Sequence, residues 1–461
     1  MQPDALTAEL FTAYSGPMTT IADRLAALIR IPSVSTLYET DGTDTFERAV
    51  ATLAELYPLM HQKLELERIG NLGLLFRWAG SDSSLANHPL VLMAHLDVVP
   101  VDLADPWTYP PFDGTIADAK VWGRGALDDK GPLVVICEAV ESLLASGFTP
   151  VRDVLLSFGG DEEIFGAGAE LIADTIRQRG ITPYLVLDEG GAIVDAPLKW
   201  VKVPAAMVGV GEKGIMTVVL STQAEPGHSS APEAMTAVSR IGLAVSKLTA
   251  STFPVHLPSA TITMLKCFIP HTSGAIHTAL TQMVKSPALT GQILARMGGE
   301  PAAMARTTVA ATMIEGGTAP NVLPSSARAV LNVRIAIGET TDSALARIKH
   351  KVGDPKIDVA MAQGSEPSPE SPTDNEQFAA IRAAVEATYP GVITAPYVMM
   401  AATDGRHFHR FCDAVYRFAP LAMNAAQRAT LHGIDEWVEI DSLERGQAFH
   451  EHLIRSVASA M

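Results

Sequence analysis

Cysteine is scarce: Cys137, Cys267 and Cys412 are the only three thiols in 461 residues, and they lie far apart. They can form neither a disulfide framework nor a thiolate zinc cluster, so any metal must be held by histidines and carboxylates. A reducing cytoplasm is the expected home. Basic residues are also few, with 34 Lys and Arg against 51 Asp and Glu and a formal charge of -17. That balance argues against nucleic acid or an anionic membrane as a partner. No apolar run reaches the length of a membrane span, and the opening MQPDALTAELFTAYSG lacks a basic segment followed by an apolar one. Neither a span nor a secretory leader is therefore expected. Internal repeats and low-complexity segments are absent too, which leaves an ordinary globular chain long enough for two domains.

The hydrophobic pattern supports that division. PLVLMAHLD (89–97), VLLSFGG and YLVLDEGG are short continuous apolar runs, as expected of strands buried on both faces of a parallel sheet. Between them lie the helix-like runs LVVICEAVESLLASG, closed by Gly147, and AGAELIADTIRQRG, closed by Gly180. The alternation predicts an α/β domain with a mainly parallel, helix-covered sheet. Near residue 204 the texture changes to the alternating GIMTVVLST, a loop PGHSSAPE opening an amphipathic helix, then ARAVLNVRIAI and KIDVAMAQ. The proline-rich EPSPESPTDN reads as a linker back. We expect a catalytic domain split into 1–204 and 364–461, with an inserted α+β lid over 205–363. Residues 256–318, where helix-like runs are broken by Gly and Pro, resist assignment.

The acidic clusters follow the strands. In MAHLDVVP, His95 and Asp97 fall on one side of an extended chain, at the carboxyl end of a strand where open α/β sheets bind ligands. The competing reading is a core histidine bonded to its neighbour. Asp128 and Asp129 of WGRGALDDKG precede a helix and would either cap it or bridge two cations. In GGDEEIFGAG, consecutive side chains of an extended loop point apart, so Glu163 can face a metal while Glu162 faces a substrate; a solvated turn is the alternative. LDEGG ends a strand with Asp188, and LHGIDEWVEI offers His432 beside Asp435 and Glu436. Each is commonplace alone; one after each of several parallel strands is not.

In this order, HLDVVP, GRGALDDKG, DEE, LDEGG, PGHSSAP, NVLP, TDGRHF and HGIDE resemble the zinc metallopeptidases and amidohydrolases that include carboxypeptidase G2, aminoacylase and carnosinase. GHSSAPE, TDGRHFHRFCDAVYRFAPL and HGIDEWVEI carry a finer likeness to the carboxypeptidase S and N-acyl-amino-acid hydrolase branch. The resemblance implies two Zn2+ per subunit. Asp128 would bridge them, with Glu163 and His432 completing one site and His95 and Asp188 the other. It implies Asp97 behind the His95 imidazole, Glu162 as general base toward a zinc-activated water, and a cis Asp128–Asp129 peptide bond. In similar enzymes the histidine matching His228 reaches a neighbouring subunit's active site to steady an oxyanion.

Arg334, in the alternating strand VLNVRIAI, could clamp a substrate carboxylate or sit on the solvent face. Asn321 of NVLP could bind substrate or serve only its turn. Thr403 and Arg406 are further candidates for substrate binding. Here the chain departs from the family: Ala401 and Ala402 stand where glycine or asparagine is usual, and Gly405 replaces a common serine or alanine. The expected activity is hydrolysis of an amide bond in a peptide or N-acyl amino acid with a free C-terminal carboxylate, by a homodimer joined through the lid. A dipeptidase recognising a free amino terminus is the alternative within the family. A noncatalytic metal- or ligand-binding protein is the alternative outside it, and it predicts a lost base or ligand where none is missing.

Overall fold

The computed structural model describes residues 20–197 and 200–459. The amino-terminal stretch considered above for a leader lies outside them. Among the described residues no helix is long and apolar enough to cross a membrane.

A nine-stranded sheet organises the larger unit. Eight of its strands follow in space as Glu65–Ile69, Gly73–Trp78, Val154–Gly159, Leu90–His95, Leu185–Asp188, Val415–Arg417, Ala205–Glu212 and Ile393–Met399. The central pairings are parallel: Leu90–His95 with Val154–Gly159 and Leu185–Asp188, and the latter with Val415–Arg417. Every residue of LVLMAH, VLLSFG and LVLD in these strands is buried. Apolar side chains on both pleat faces leave such strands stable only between layers of helix. The Lys130–Ala145 helix supplies one layer; Leu133, Val134, Val135 and Ile136 are all buried in it. Gly147 follows it at φ 76, the left-handed conformation in which glycine closes a helix without steric cost. Cutting Leu156, at 0 % exposure, to alanine would cost about 2–5 kcal/mol through the cavity left behind.

The second unit is a four-stranded antiparallel sheet, in the order Thr308–Gly316, Ser326–Ile335, Gly214–Gln223 and Asp358–Ser365. Alternation in Gly214–Gln223 buries Met216, Val218 and Leu220 beneath the helices Ala237–Lys247 and Thr341–Val352. The opposite face, with Ile215 and Arg334, turns toward the larger unit.

Sheet membership moves one expected boundary. Ala205–Glu212 pairs in parallel with Ile393–Met399, so the chain passes to the smaller sheet between Glu212 and Gly214 rather than at 205. The unassigned stretch resolves into the helices Ser259–Phe268, Gly274–Met283, Pro287–Met297 and Gly299–Ala303, then the Thr308–Gly316 strand. Met264, Leu265, Phe268 and Leu280 of these helices share a core with Ala205, Met207, Ile393 and Ala395. These helices therefore pack on the larger sheet.

Candidate active site

Three adjacent parallel strands deliver their carboxyl ends to one place. His95 closes the first and pairs in register with Gly159 of the second, whose chain runs on into Asp161, Glu162 and Glu163. Asp161 turns back under the loop, and its carboxylate accepts the Gly168 amide at 3.2 Å. A Cβ on Gly166 would stand 1.9 Å from Asp161 Oδ2, so the glycines of this motif make room for that return. With Asp161 spent on the backbone, Glu162 and Glu163 remain for chemistry.

Asp128 enters from the loop before the Lys130–Ala145 helix, and the Asp128–Asp129 peptide bond is cis. Glu436 holds that loop: its buried carboxylate accepts the amides of Gly125, Leu127 and Asp128 and pairs with the buried Arg124 at 2.6 Å. His432, four residues upstream, is thereby tied to the loop that carries Asp128. Its backbone sits at φ 57, an uncommon conformation for a residue with a Cβ.

His95 Nε2 lies 3.2 Å from Asp128 Oδ1, while His432 Nε2 lies 3.0 Å from Asp128 Oδ2 and 3.3 Å from Glu163 Oε2. One carboxylate thus faces two imidazoles through its two oxygens. Behind His95, Nδ1 meets the Asp97 carbonyl at 3.0 Å and the Asp97 carboxylate at 3.3 Å. Burial alone would raise the Asp128 carboxyl, but His432 and His95 outweigh it and hold it below the usual carboxylate range. His432 is correspondingly pushed up to about 10 by Asp128 and Glu163. Glu162, Glu163 and Glu189 are all raised, first by burial and then by the other carboxylates around them.

Such crowding of acids in a dry site calls for a cation. Donor atoms of His95, Asp128 and Glu163 lie within 4.8 Å of one another, and Glu163 Oε1 is buried with no hydrogen-bond partner. Imidazole and carboxylate donors of this kind suit zinc. The residues present therefore fit the metal that the sequence led us to expect.

Asp188 ends its strand beside this cluster. Its Oδ2 accepts the Gly405 amide at 2.6 Å, and its neighbour Glu189 lines the cavity wall. Glu189, the second carboxylate of LDEGG, was not among the expected residues. A Cβ at Gly405 would lie 3.0 Å from Asp188 Oδ2, which gives a reason for glycine where the family often has serine or alanine.

Asp128, Glu162, Glu163, Glu189 and His432 line one end of a cavity of about 620 Å³. Its remaining wall is largely apolar, including Met207, Met264, Met304, Met399, Met400 and Met423. Arg334 reaches the same cavity from the smaller sheet, hydrogen-bonded to Asn332 Oδ1 at 3.2 Å. Among the described residues no carboxylate pairs with it, and burial lowers its pKa. Burial and then Arg334 push neighbouring Lys213 down to about 8.

Thr403, Arg406, His228 and Asn321 lie off this wall, as do the more deeply set His95 and Asp97. The Thr403 side chain is fully buried and donates to Glu212 Oε2 at 3.0 Å, where Arg417 Nε also donates at 2.9 Å. Arg406 donates to the Thr403 carbonyl at 2.8 Å and packs over Phe165. Both build the loop, while Met400, Ala401 and Ala402 present it to the cavity. His228 and Asn321 come together at a small exposed ladder, where Ser229 donates its amide to the Asn321 carbonyl.

Residues 91–456 match the model of Peptidase family M20/M25/M40. The chain belongs to that family. This M20-type chain is 33% identical over 447 residues to "Probable carboxypeptidase S-like 2" of Dictyostelium discoideum, covering 95% of this chain and 85% of that one. It is 31% identical over 442 residues to the human "N-fatty-acyl-amino acid synthase/hydrolase PM20D1", covering 94% and 87%. Its fold is similar to that of the M20 family metallo-carboxypeptidase Sso-CP2 from Sulfolobus solfataricus, with a TM-score of 0.69, 18% identity and coverage of 94% and 97%. The M20 chain is accordingly a metallopeptidase or amidohydrolase acting on peptides or acyl amino acids.

Proposed function

We propose that this enzyme hydrolyses the amide bond of N-acyl amino acids that keep a free carboxylate, with two zinc ions per subunit. The observation that carries this reading is the single cavity. It joins a His and carboxylate cluster, a half-buried arginine with no acidic partner among the described residues, and a methionine-rich wall.

Asp128 would bridge the ions, with Glu163 and His432 holding one and His95 and Asp188 the other. The metals would supply Lewis acidity toward water and the scissile carbonyl. Glu162 does the proton work: its carboxylate takes a proton from the attacking water and returns it to the leaving nitrogen. Burial raises its pKa above the ordinary carboxylate value, which suits a group that takes up a proton and returns it. Arg334 receives the substrate carboxylate through charge-assisted hydrogen bonds. The methionines take the acyl group, because flexible thioether side chains adapt to apolar chains of varied shape. A dipeptide would instead place an ammonium group against that apolar wall.

His228 and Asn321 act, in this proposal, on the cavity of a second copy. Their exposure, with that of Val322 on the same ladder and of Met313 and Ile314 on the edge strand of the smaller sheet, supports pairing through this unit. All three cysteines are free, which fits a reducing compartment such as the cytoplasm.

The test is a parallel assay of zinc-loaded enzyme on N-acyl amino acids of increasing acyl length, C-terminal peptide substrates, dipeptides and carboxylate-amidated analogues. kcat/KM should rise with apolar acyl length and collapse on amidation. Preference for unacylated dipeptides would overturn the proposal.

A further inference from the structure

The overall charge of -17 is unevenly spread. Residues 259–303 carry three cations, Lys266, Lys285 and Arg296, against one carboxylate, Glu300. All three cations are exposed, and none pairs with a carboxylate among the described residues. Glu300 is itself neutralised by Arg428 at 2.9 Å. Glu370 is taken up at the start of the segment by the Ser259 and Ala260 amides, and screening limits the reach of distant acids to about 8–10 Å, so the local balance around Lys285 and Arg296 is positive.

The same place exposes apolar side chains in register. Leu289, Ile293 and Met297 are spaced by four along the Pro287–Met297 helix and are 58%, 36% and 55% exposed. That spacing puts them on one face. Thr290, Gly291 and Leu294 bury the opposite face, so the helix is apolar both inward and outward. Ile276 of the preceding Gly274–Met283 helix adds to the exposed set at 38%. Lys285 and Arg296 flank the stripe toward its two ends. An apolar stripe bordered by cations has the composition of a helix lying in a lipid–water interface.

Position adds a reason for this chemistry. Glu300 and Met304, just beyond the exposed helix, and Met264 of Ser259–Phe268 line the catalytic cavity. We propose that the helices spanning 259–303 dock the enzyme on an anionic lipid surface, with the Leu289–Ile293–Met297 stripe inserted and Lys285 and Arg296 at the headgroups. Docking there sets the methionine wall beside the lipid layer, from which an acylated substrate can pass to the cavity without crossing water. That last step rests on the acyl-amino-acid reading above; the docking itself does not.

The experiment is flotation of the full chain with vesicles of phosphatidylcholine alone or mixed with phosphatidylglycerol, at low and high salt. The parent should float with the mixed vesicles at low salt and be released by salt. Leu289→Glu with Ile293→Glu should abolish flotation, and Lys285→Glu and Arg296→Glu should each weaken it about fivefold or more. Circular dichroism and hydrolysis of a water-soluble short-chain substrate should stay at parental levels in every variant. A parent that remains in solution with mixed vesicles overturns the proposal, as does flotation that survives both apolar substitutions. A parental dimer that becomes monomeric in the Leu289/Ile293 variant, without vesicle binding by the parent, assigns the face to a second copy instead. Because flotation uses no substrate, its outcome is independent of whether the hydrolytic reading holds.

Discussion

Asp97 Oδ1 accepts the backbone amide of Glu162 at 3.1 Å and faces His95 Nδ1 at 3.3 Å through the same oxygen. Asp97 Oδ2 accepts the Glu163 amide, also at 3.1 Å. One buried carboxylate thus positions an expected ligand, the expected base and a second expected ligand together. Its fully buried side chain would be driven toward neutrality, but hydrogen bonding and charge from His95 keep it low.

Asp97→Asn should therefore harm more than the His95 orientation. The side-chain amide can satisfy only some of these donors and turns an N–H toward the rest, costing about 1–3 kcal/mol of stability. Metal affinity should fall about 10–100-fold, as for other supporting partners of metal-bound histidine. Chelator competition with thermal melts measures both; parental affinity would show that Asp97 does not support the site.

Asp188 and Glu189 make separable predictions. Asp188→Asn should lower metal content toward one ion per subunit and weaken the hold on Gly405. Glu189→Gln should keep both ions while altering the cavity wall. Metal analysis of the purified variants decides between them, and the reverse result would give the ligand role to Glu189.

The contrast shows how far sequence could reach. The convergence of His95, Asp128, Glu163 and His432 was legible because apolar runs set the strand ends that present the first and third, and distinctive loops carried the others. The place of Glu189 on the cavity wall was not, because consecutive side chains at a strand end turn to opposite faces and the pattern places that end no more finely. The surroundings of Thr403 were hidden for a different reason. Its partners Glu212 and Arg417 belong to distant strands, and no local pattern reports their buried ion pair. The boundary near 205 moved because AAMVGVGE is equally compatible with either sheet until its neighbour Ile393–Met399 is known.

A pH effect on stability should arise far from the cavity. His450, in the Ile440–Ala458 helix, is fully buried, and burial pushes it down to about 3 from the model-compound 6.5. Between those values the unfolded chain binds a proton that the folded chain does not. The stability from this site is therefore complete above about pH 6.5 and is lost as pH falls toward 3, by about 2 kcal/mol at pH 5 relative to pH 8. His450→Leu should flatten the urea-midpoint profile between pH 5 and 8 by that amount. An unchanged profile would place the proton uptake elsewhere.

The central claim is that Glu162 moves the proton while its neighbours hold the metal. The most direct measurement is single-turnover hydrolysis by zinc-loaded Glu162→Gln, with metal content determined on the same sample. The account predicts parental zinc content and a rate lower by about 10²–10⁴-fold. Parental zinc with a rate within about threefold of the parent would contradict it.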